Sequence, residues 1–276
     1  MKDDLKFAFW GTPEVASQTL EILKQNGYLP ELIVTSPDKP KGRGLEITPP
    51  PAKIWAEKNK IPYIQPEKLD DLKISSDLSI VVAFGKIIPE NILNLPKLGS
   101  INVHYSLLPK YRGAAPVESA ILNGETKTGV SIQKMVYKLD AGAILAQEKI
   151  KIEPDERAEE LRTRLIKLGG ELLVKLLNTS SAFGTSPQGG GWEGVEQDES
   201  QATYSKKIKK EDGLVDLEAE LPSELYNKFR AYAAWPRIYF FKDGKRIIIT
   251  DAELKDGKFV IKKVIPESGK EVDWKN

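Results

Sequence analysis

The chain has 276 residues, no cysteine and one histidine, with 41 Lys and Arg against 40 Asp and Glu for a net charge of +1. The absence of thiols excludes disulfides, thiolate metal sites and a cysteine nucleophile, and a lone imidazole argues against a transition-metal centre, although carboxylates could still hold magnesium; no metal is expected. A near-neutral balance gives no overall pull toward nucleic acid, so any such binding must come from local patches.

Hydrophobic content of 40% and charged content of 29% are those of an ordinary globular chain, long enough for one large domain or two smaller ones. The opening Met1-Lys2-Asp3-Asp4-Leu5-Lys6 lacks the apolar core of a secretory signal. Apolar runs such as Leu78 to Phe84 are too short to span a bilayer, so the expectation is a cytoplasmic protein without membrane contact.

Leu5 to Trp10 is an apolar run ending in Gly11-Thr12-Pro13, where Thr12 suits a helix cap, Pro13 the first helical position and Glu14 the positive end of the dipole. The helix predicted there passes through Val15, Leu20 and Leu23 and ends near Asn26-Gly27, and Leu32 to Thr35 reads as a second strand. This β-α-β opening predicts an α/β fold with a parallel, doubly wound, Rossmann-like sheet. Its first turn lacks Gly-x-Gly-x-x-Gly, so dinucleotide binding is not expected. Further strands are predicted at Ser79–Phe84, Ser100–His104, Val130–Met135 and Ala143–Ile152, the last two near a sheet edge.

Glu156 to Leu177 reads as a long amphipathic helix broken only by Gly169-Gly170. Asn178 to Gln201, rich in Ser, Gly, Asp and Glu, reads as the linker. Beyond it a helix is predicted at Ser223–Ala233, with strands at Ile238–Lys242, Arg246–Asp251 and Phe259–Val264. Asp243-Gly244 and Asp256-Gly257 are turns between those strands, and a small β-barrel is the natural reading.

The most chemically loaded stretch surrounds His104. Asn102 and His104, two apart on a predicted strand, point to one face. Lys138-Leu139-Asp140-Ala141-Gly142 adds a carboxylate in a loop after the next strand. An amide, an imidazole and a carboxylate suit acyl transfer to an amine. Asn102 and a His104 N–H would stabilise an oxyanion, and Asp140 would orient His104 and help move a proton. From the residues alone the signal is weak, because Asn, His and Asp are common, and they favour the blander reading of a core histidine satisfied by one hydrogen bond and an aspartate that forms a turn.

Several blocks of sequence add to this reading. Asn102-Val103-His104, Ser106-Leu107-Leu108-Pro109, Arg112-Gly113-Ala114-Ala115-Pro116, Thr128-Gly129-Val130 and Leu139-Asp140-Ala141-Gly142 resemble the catalytic domain of folate-dependent formyltransferases, most nearly the branch acting on methionyl-tRNA. Phe9-Trp10-Gly11-Thr12-Pro13-Glu14, residues 37–44, Val81–Gly85 with Ile88-Pro89, and Ala233-Ala234-Trp235-Pro236 extend the resemblance over nearly the whole chain. It implies transfer of the formyl group of 10-formyltetrahydrofolate to methionine on initiator tRNA, with Asn102, His104 and Asp140 as the catalytic trio. It places folate contacts at Ser106, Leu107, Leu108 and Pro109. An apolar slot for the flat pterin is expected at Phe84, Gly85 and Ile88, although a plain buried strand and turn fits those residues equally well.

The Pro/Gly-rich loop with Lys39, Lys41 and Arg43 would by itself be a solvated loop; the resemblance makes it a tRNA contact, with Arg43 the functional arginine. Lys206, Lys207, Lys209 and Lys210 form a second cluster. However, residues 205–276 hold 16 Lys and Arg against 13 Asp and Glu, so the patch is modestly basic and also reads as a solvated segment. The expected organisation is a catalytic domain over 1–180, a linker over 181–204 and a shortened OB-like barrel over 205–276, in a monomer.

Three departures from the family pattern stand out. Tyr105 replaces a small residue and is expected to narrow the pocket mouth, the barrel is short by a hairpin before Val264, and Gly189-Gly190-Gly191-Trp192 has no functional account. The rival activities are formyl transfer to a nucleotide-linked amino sugar and hydrolysis of the folate. From another class, a non-catalytic RNA-binding relative would bind tRNA in a salt-sensitive way without affinity for folate.

Overall fold

A computed structural model describes residues 5–41, 44–179 and 193–275. Its strands are β1 Phe7–Gly11, β2 Leu32–Val34, β3 Lys39–Lys41, β4 Glu46–Thr48, β5 Tyr63–Ile64, β6 Leu78–Val82, β7 Ser100–His104, β8 Arg112–Gly113, β9 Lys127–Lys134, β10 Ile144–Lys151, β11 Tyr204–Ser205, β12 Tyr239–Lys242, β13 Lys245–Lys255, β14 Lys258–Pro266 and β15 Val272–Asp273. The helices are α1 Glu14–Gln25, α2 Pro51–Asn59, α3 Glu90–Leu93, α4 Pro116–Leu122, α5 Ala158–Asn178 and α6 Pro222–Ala231.

The described residues form two compact units, one within Met1–Pro109, Gly129–Glu148 and Leu165–Ala202, the other within Lys110–Thr128, Lys149–Arg164 and Thr203–Asn276. The main sheet has the order β10-β9-β7-β6-β1-β2-β5. β5, β2, β1, β6 and β7 pair in parallel, while β9 pairs antiparallel with β7. The sheet is therefore parallel-dominated and mixed. β1 and β6 are buried along their whole length, as their largely apolar runs require, with Ser79 the one polar residue in them. From this pair the strand order runs outward in both directions, making the carboxyl ends of β1 and β6 the topological switch point where such sheets bind ligands.

Thr12 does not cap α1. The cap position falls on Pro13, with no side-chain cap bond. The Thr12 hydroxyl donates instead to the carbonyl of Phe84 (3.1 Å) and lies 3.1 Å from Ser36 Oγ, joining the loops that follow β1, β2 and β6. The buried Trp10 indole donates to Ser79 Oγ at 3.1 Å and meets the Phe84 ring edge-on, with centroids 5.2 Å apart. Ser79→Ala leaves that N–H without its acceptor inside the core. A loss of about 1–3 kcal/mol is expected in urea denaturation; an unchanged midpoint would show that the indole finds another partner.

Helix α5 runs through Gly169 and Gly170 without a break. At Gly170, a methyl group would come within 2.6 Å of Ile22 on α1, so the pair of glycines permits close packing rather than ending the helix.

In the smaller unit, β12, β13, β14 and β15 form a four-stranded antiparallel sheet. Asp243-Gly244 and Asp256-Gly257 all have positive φ, the geometry that two-residue hairpin turns require. Helix α6 is held by residues far upstream in the chain. Arg230 donates to the carbonyl of Glu156 (3.2 Å), Tyr226 to Asp155 (2.8 Å), and Arg157 lies over the Phe229 ring at 4.9 Å. No described helix is long and apolar enough to cross a membrane.

Candidate active site

β7 carries Asn102 and His104 on one face, opposite Gln133 and Ser131 of β9 in the antiparallel register. Residues facing each other across such a ladder share a face, so four polar side chains gather at the end of two strands. Asn102 is half-buried and His104 is buried. Asp140 lies in the β9–β10 connection with φ +47°, a left-handed conformation that aspartate tolerates better than most residues. Its Oδ2 stands 3.7 Å from His104 Nδ1, an ion-pair separation longer than a hydrogen bond. Its Oδ1 accepts from Gln133 Nε2 at 2.9 Å.

The intervening residues of β7 face the other way. Val103 and Tyr105 pack beneath α5, where a Cβ on Gly169 would sit 3.2 Å from Val103 and 3.4 Å from Tyr105. Tyr105 therefore does not narrow the pocket mouth: the two-residue period of the chain here sends it into the core, and burial pushes its phenol pKa up.

The Ser106–Pro109 stretch is clamped from the neighbouring strands. Ser131 Oγ donates to the carbonyl of Ser106 (2.7 Å) and accepts from the amide of Leu108 (3.1 Å). Gln147 Nε2 donates to both Ser131 Oγ (2.8 Å) and the Leu108 carbonyl (3.0 Å). Ser106 and Leu108 are buried, Leu107 and Pro109 half-buried, and the Leu108–Pro109 bond is cis.

Beyond β6 the chain turns through Ala83 (φ +49°) and Gly85 (φ +81°). Phe84 and Ile88 point into the core with Trp10, Val81 and Ile92, while Ile87 is 83% exposed. A Cβ built on Gly85 would meet nothing within 4 Å, so open space lies beside that backbone.

Of the predicted tRNA contacts, Lys39, Lys206, Lys207, Lys209 and Lys210 are exposed. Arg43, the Lys41 side chain and the Gly189–Trp192 segment lie outside the described residues. Among the described residues no group of three or more His, Asp or Glu is arranged to hold a metal ion. Four residues of the larger unit's site escaped sequence reasoning: Ser131, Gln133, Gln147 and Gln197. Ser131 and Gln133, polar and two apart within Val130-Ser131-Ile132-Gln133, carried a readable signal, because they alternate with apolar neighbours toward the face of Asn102 and His104.

An amide and an imidazole share one face at the carboxyl end of a parallel strand, with a carboxylate beside the imidazole. The chain belongs to the formyl transferase family: residues 5–177 match Formyl transferase and residues 207–275 match Formyl transferase, C-terminal domain. Within that family it is similar to methionyl-tRNA formyltransferases. That of Thermotoga maritima is 42% identical over 258 residues, spanning 91% of this chain and 78% of the relative. That of Geobacter sulfurreducens is 42% identical over 250 residues, spanning 88% and 76%. In fold the chain is similar to the N-formyltransferase of Helicobacter canadensis, solved with folinic acid and dTDP-3-aminofucose. The TM-score is 0.66 at 19% identity, covering 99% of this chain and 100% of the other.

Proposed function

We propose that the protein transfers the formyl group of 10-formyltetrahydrofolate to the amino group of methionine on initiator tRNA. The reading is carried by the meeting of Asn102, His104 and Asp140 at one strand end. The identity to methionyl-tRNA formyltransferases over nine-tenths of the chain supports it.

The donor fits the residues present. Open space beside Gly85, the exposed Ile87 and the clamped Ser106–Pro109 backbone suit a flat, amide-rich pterin, with Phe84 and Ile88 setting the shape of the slot from within the core. When bound, 10-formyltetrahydrofolate supplies an activated formyl carbon. Asn102 donates from its amide to the carbonyl oxygen, which becomes negative as the acceptor amine adds, and His104 donates from Nε2. Asp140, whose Oδ2 stands 3.7 Å from Nδ1, holds the orientation of the ring. His104 would give its Nε2 proton to the folate nitrogen as that nitrogen's bond to the formyl carbon breaks, and would take the proton of the incoming amine in exchange, so that tetrahydrofolate leaves and the imidazole ends as it began.

Lys39, Lys41, Arg43 and the Lys206–Lys210 cluster are proposed to contact tRNA phosphates. The proposed organisation is a catalytic domain over 1–180, a linker over 181–204 and a C-terminal domain over 205–276, in a cytoplasmic monomer. The matched stretches span 78% and 76% of the lengths of these two relatives.

The test is incubation with 10-formyltetrahydrofolate and methionylated initiator tRNA, followed by assay of N-formylmethionine on the tRNA. Formylated tRNA is the expected product. Transfer to a nucleotide-linked amino sugar but not to tRNA would overturn the reading in favour of the activity that the fold-level neighbour represents.

A further inference from the structure

The stretch that follows the described gap, 193–201, does not run free between the two matched regions. Val195 forms an antiparallel bridge with Ile144, with amide-to-carbonyl bonds of 2.8 and 2.9 Å in the two directions. Lys138 pairs with Glu199 at 2.7 Å. Between these two fastenings, Gln197 Nε2 donates to the carbonyls of Gly142 (2.7 Å) and Asp140 (2.9 Å) and lies 3.2 Å from Gln133 Oε1. The segment thus brackets the Asp140 loop on both sides and at its tip.

We propose that Gln197 is a positioning residue for Asp140, acting through its backbone and through Gln133; the proposal rests on the catalytic role assigned to Asp140 above. Two effects combine. Asp140 adopts a left-handed backbone, which a non-glycine residue keeps only when its surroundings hold it, and Gln197 holds the carbonyls of Asp140 and Gly142. The second effect is orientational. The Gln133 side chain is buried, and its amide can present either oxygen or nitrogen toward Asp140. The carboxylate selects the NH2, which donates to Asp140 Oδ1 while Oδ2 faces His104; Oε1 is thereby turned toward Gln197, whose Nε2, 3.2 Å away, can share a hydrogen with it and brace the Gln133 side chain. Without Gln197, the Gln133 oxygen loses a polar neighbour and the loop loses the restraint on its two carbonyls.

Gln197→Ala and Gln197→Met, the latter keeping the length of the side chain without its donors, test this in the full-length protein. Each is expected to lower kcat about 10- to 100-fold, with KM for tRNA and for the folate within about twofold of wild type. The same changes in an Asp140→Ala background should lower kcat no further, since residues acting through one another are not additive. A folded Gln197→Met protein with wild-type kcat would overturn the proposal, as would a pure rise in KM or full additivity with Asp140→Ala. If Asp140→Ala alone retains wild-type kcat, it is the catalytic role of Asp140 that fails. If Asp140→Ala is impaired and Gln197→Met is not, only the role of Gln197 fails.

Discussion

Replacing His104 with alanine is expected to lower kcat by about 10³-fold, with tRNA affinity unchanged. The size follows from the two duties proposed for the imidazole. Losing a preorganised donor to a developing oxyanion costs about 10²- to 10³-fold, and losing a positioned proton carrier costs about 10²- to 10⁴-fold. The duties belong to one side chain and one transition state, so the losses do not multiply. Affinity should survive because His104 is buried at a strand end, away from any surface that a macromolecule the size of tRNA could cover. Single-turnover kinetics with saturating folate, alongside equilibrium binding of methionylated tRNA, separate the two quantities. A parallel loss of both would remove His104 from the chemical step and make it a structural residue. Asn102→Ala should be milder, at about 10²-fold, since it removes one of two donors and leaves proton transfer intact.

Gly142→Ala should be comparably damaging although it touches no reacting atom. A Cβ there would sit 1.8 Å from the carbonyl oxygen of Lys134 and 2.8 Å from its carbon, inside the backbone of β9. No side chain can yield, so the loop itself must move. Asp140 is two residues away in that loop, and a displacement on the order of 1 Å at a catalytic group costs about 10²-fold in rate. The expected result is a folded protein with kcat reduced by about 10² or more and a destabilisation of about 1–3 kcal/mol from overpacking. Both are read from kinetics and urea denaturation of one preparation. Retention of wild-type kcat would mean that the loop absorbs the methyl group without shifting Asp140.

The part of the site lying on regular strands was legible before any coordinates. Asn102 and His104 needed only the two-residue period of a strand, and the predicted span Ser100–His104 is the one observed. Tyr105 obeys the same period in the opposite sense. Its reading as a pocket residue came from comparing residue sizes with a family pattern rather than from asking which face the side chain takes.

What was not legible is what depends on partners distant in sequence. Thr12 has the composition of a cap, yet its hydroxyl is drawn to Ser36 and Phe84, 24 and 72 residues away. The antiparallel entry of β9 leaves no local trace, because a strand that alternates polar and apolar residues reads the same in either direction. Gln197 lay in a Ser-, Gly- and acid-rich stretch without periodicity, so only its bonds distinguish it from a tether.

The bracket around the Asp140 loop also sets an order of assembly. The loop is synthesised 57 residues before the glutamine that grips its carbonyl. In that interval the ribosome must deliver the rest of the β9–β10 hairpin and all of α5. A nascent chain released before Val195 carries Asn102, His104 and Asp140 but lacks the bridge to Ile144 and the bonds from Gln197. Contacts so far apart along the chain form late, because closing the intervening loop costs entropy before it yields any bond. The carboxylate is thus among the last parts of the site to be set in place. In a prematurely terminated chain, which would retain Asn102, His104 and Asp140, presence of the residues and possession of the geometry come apart.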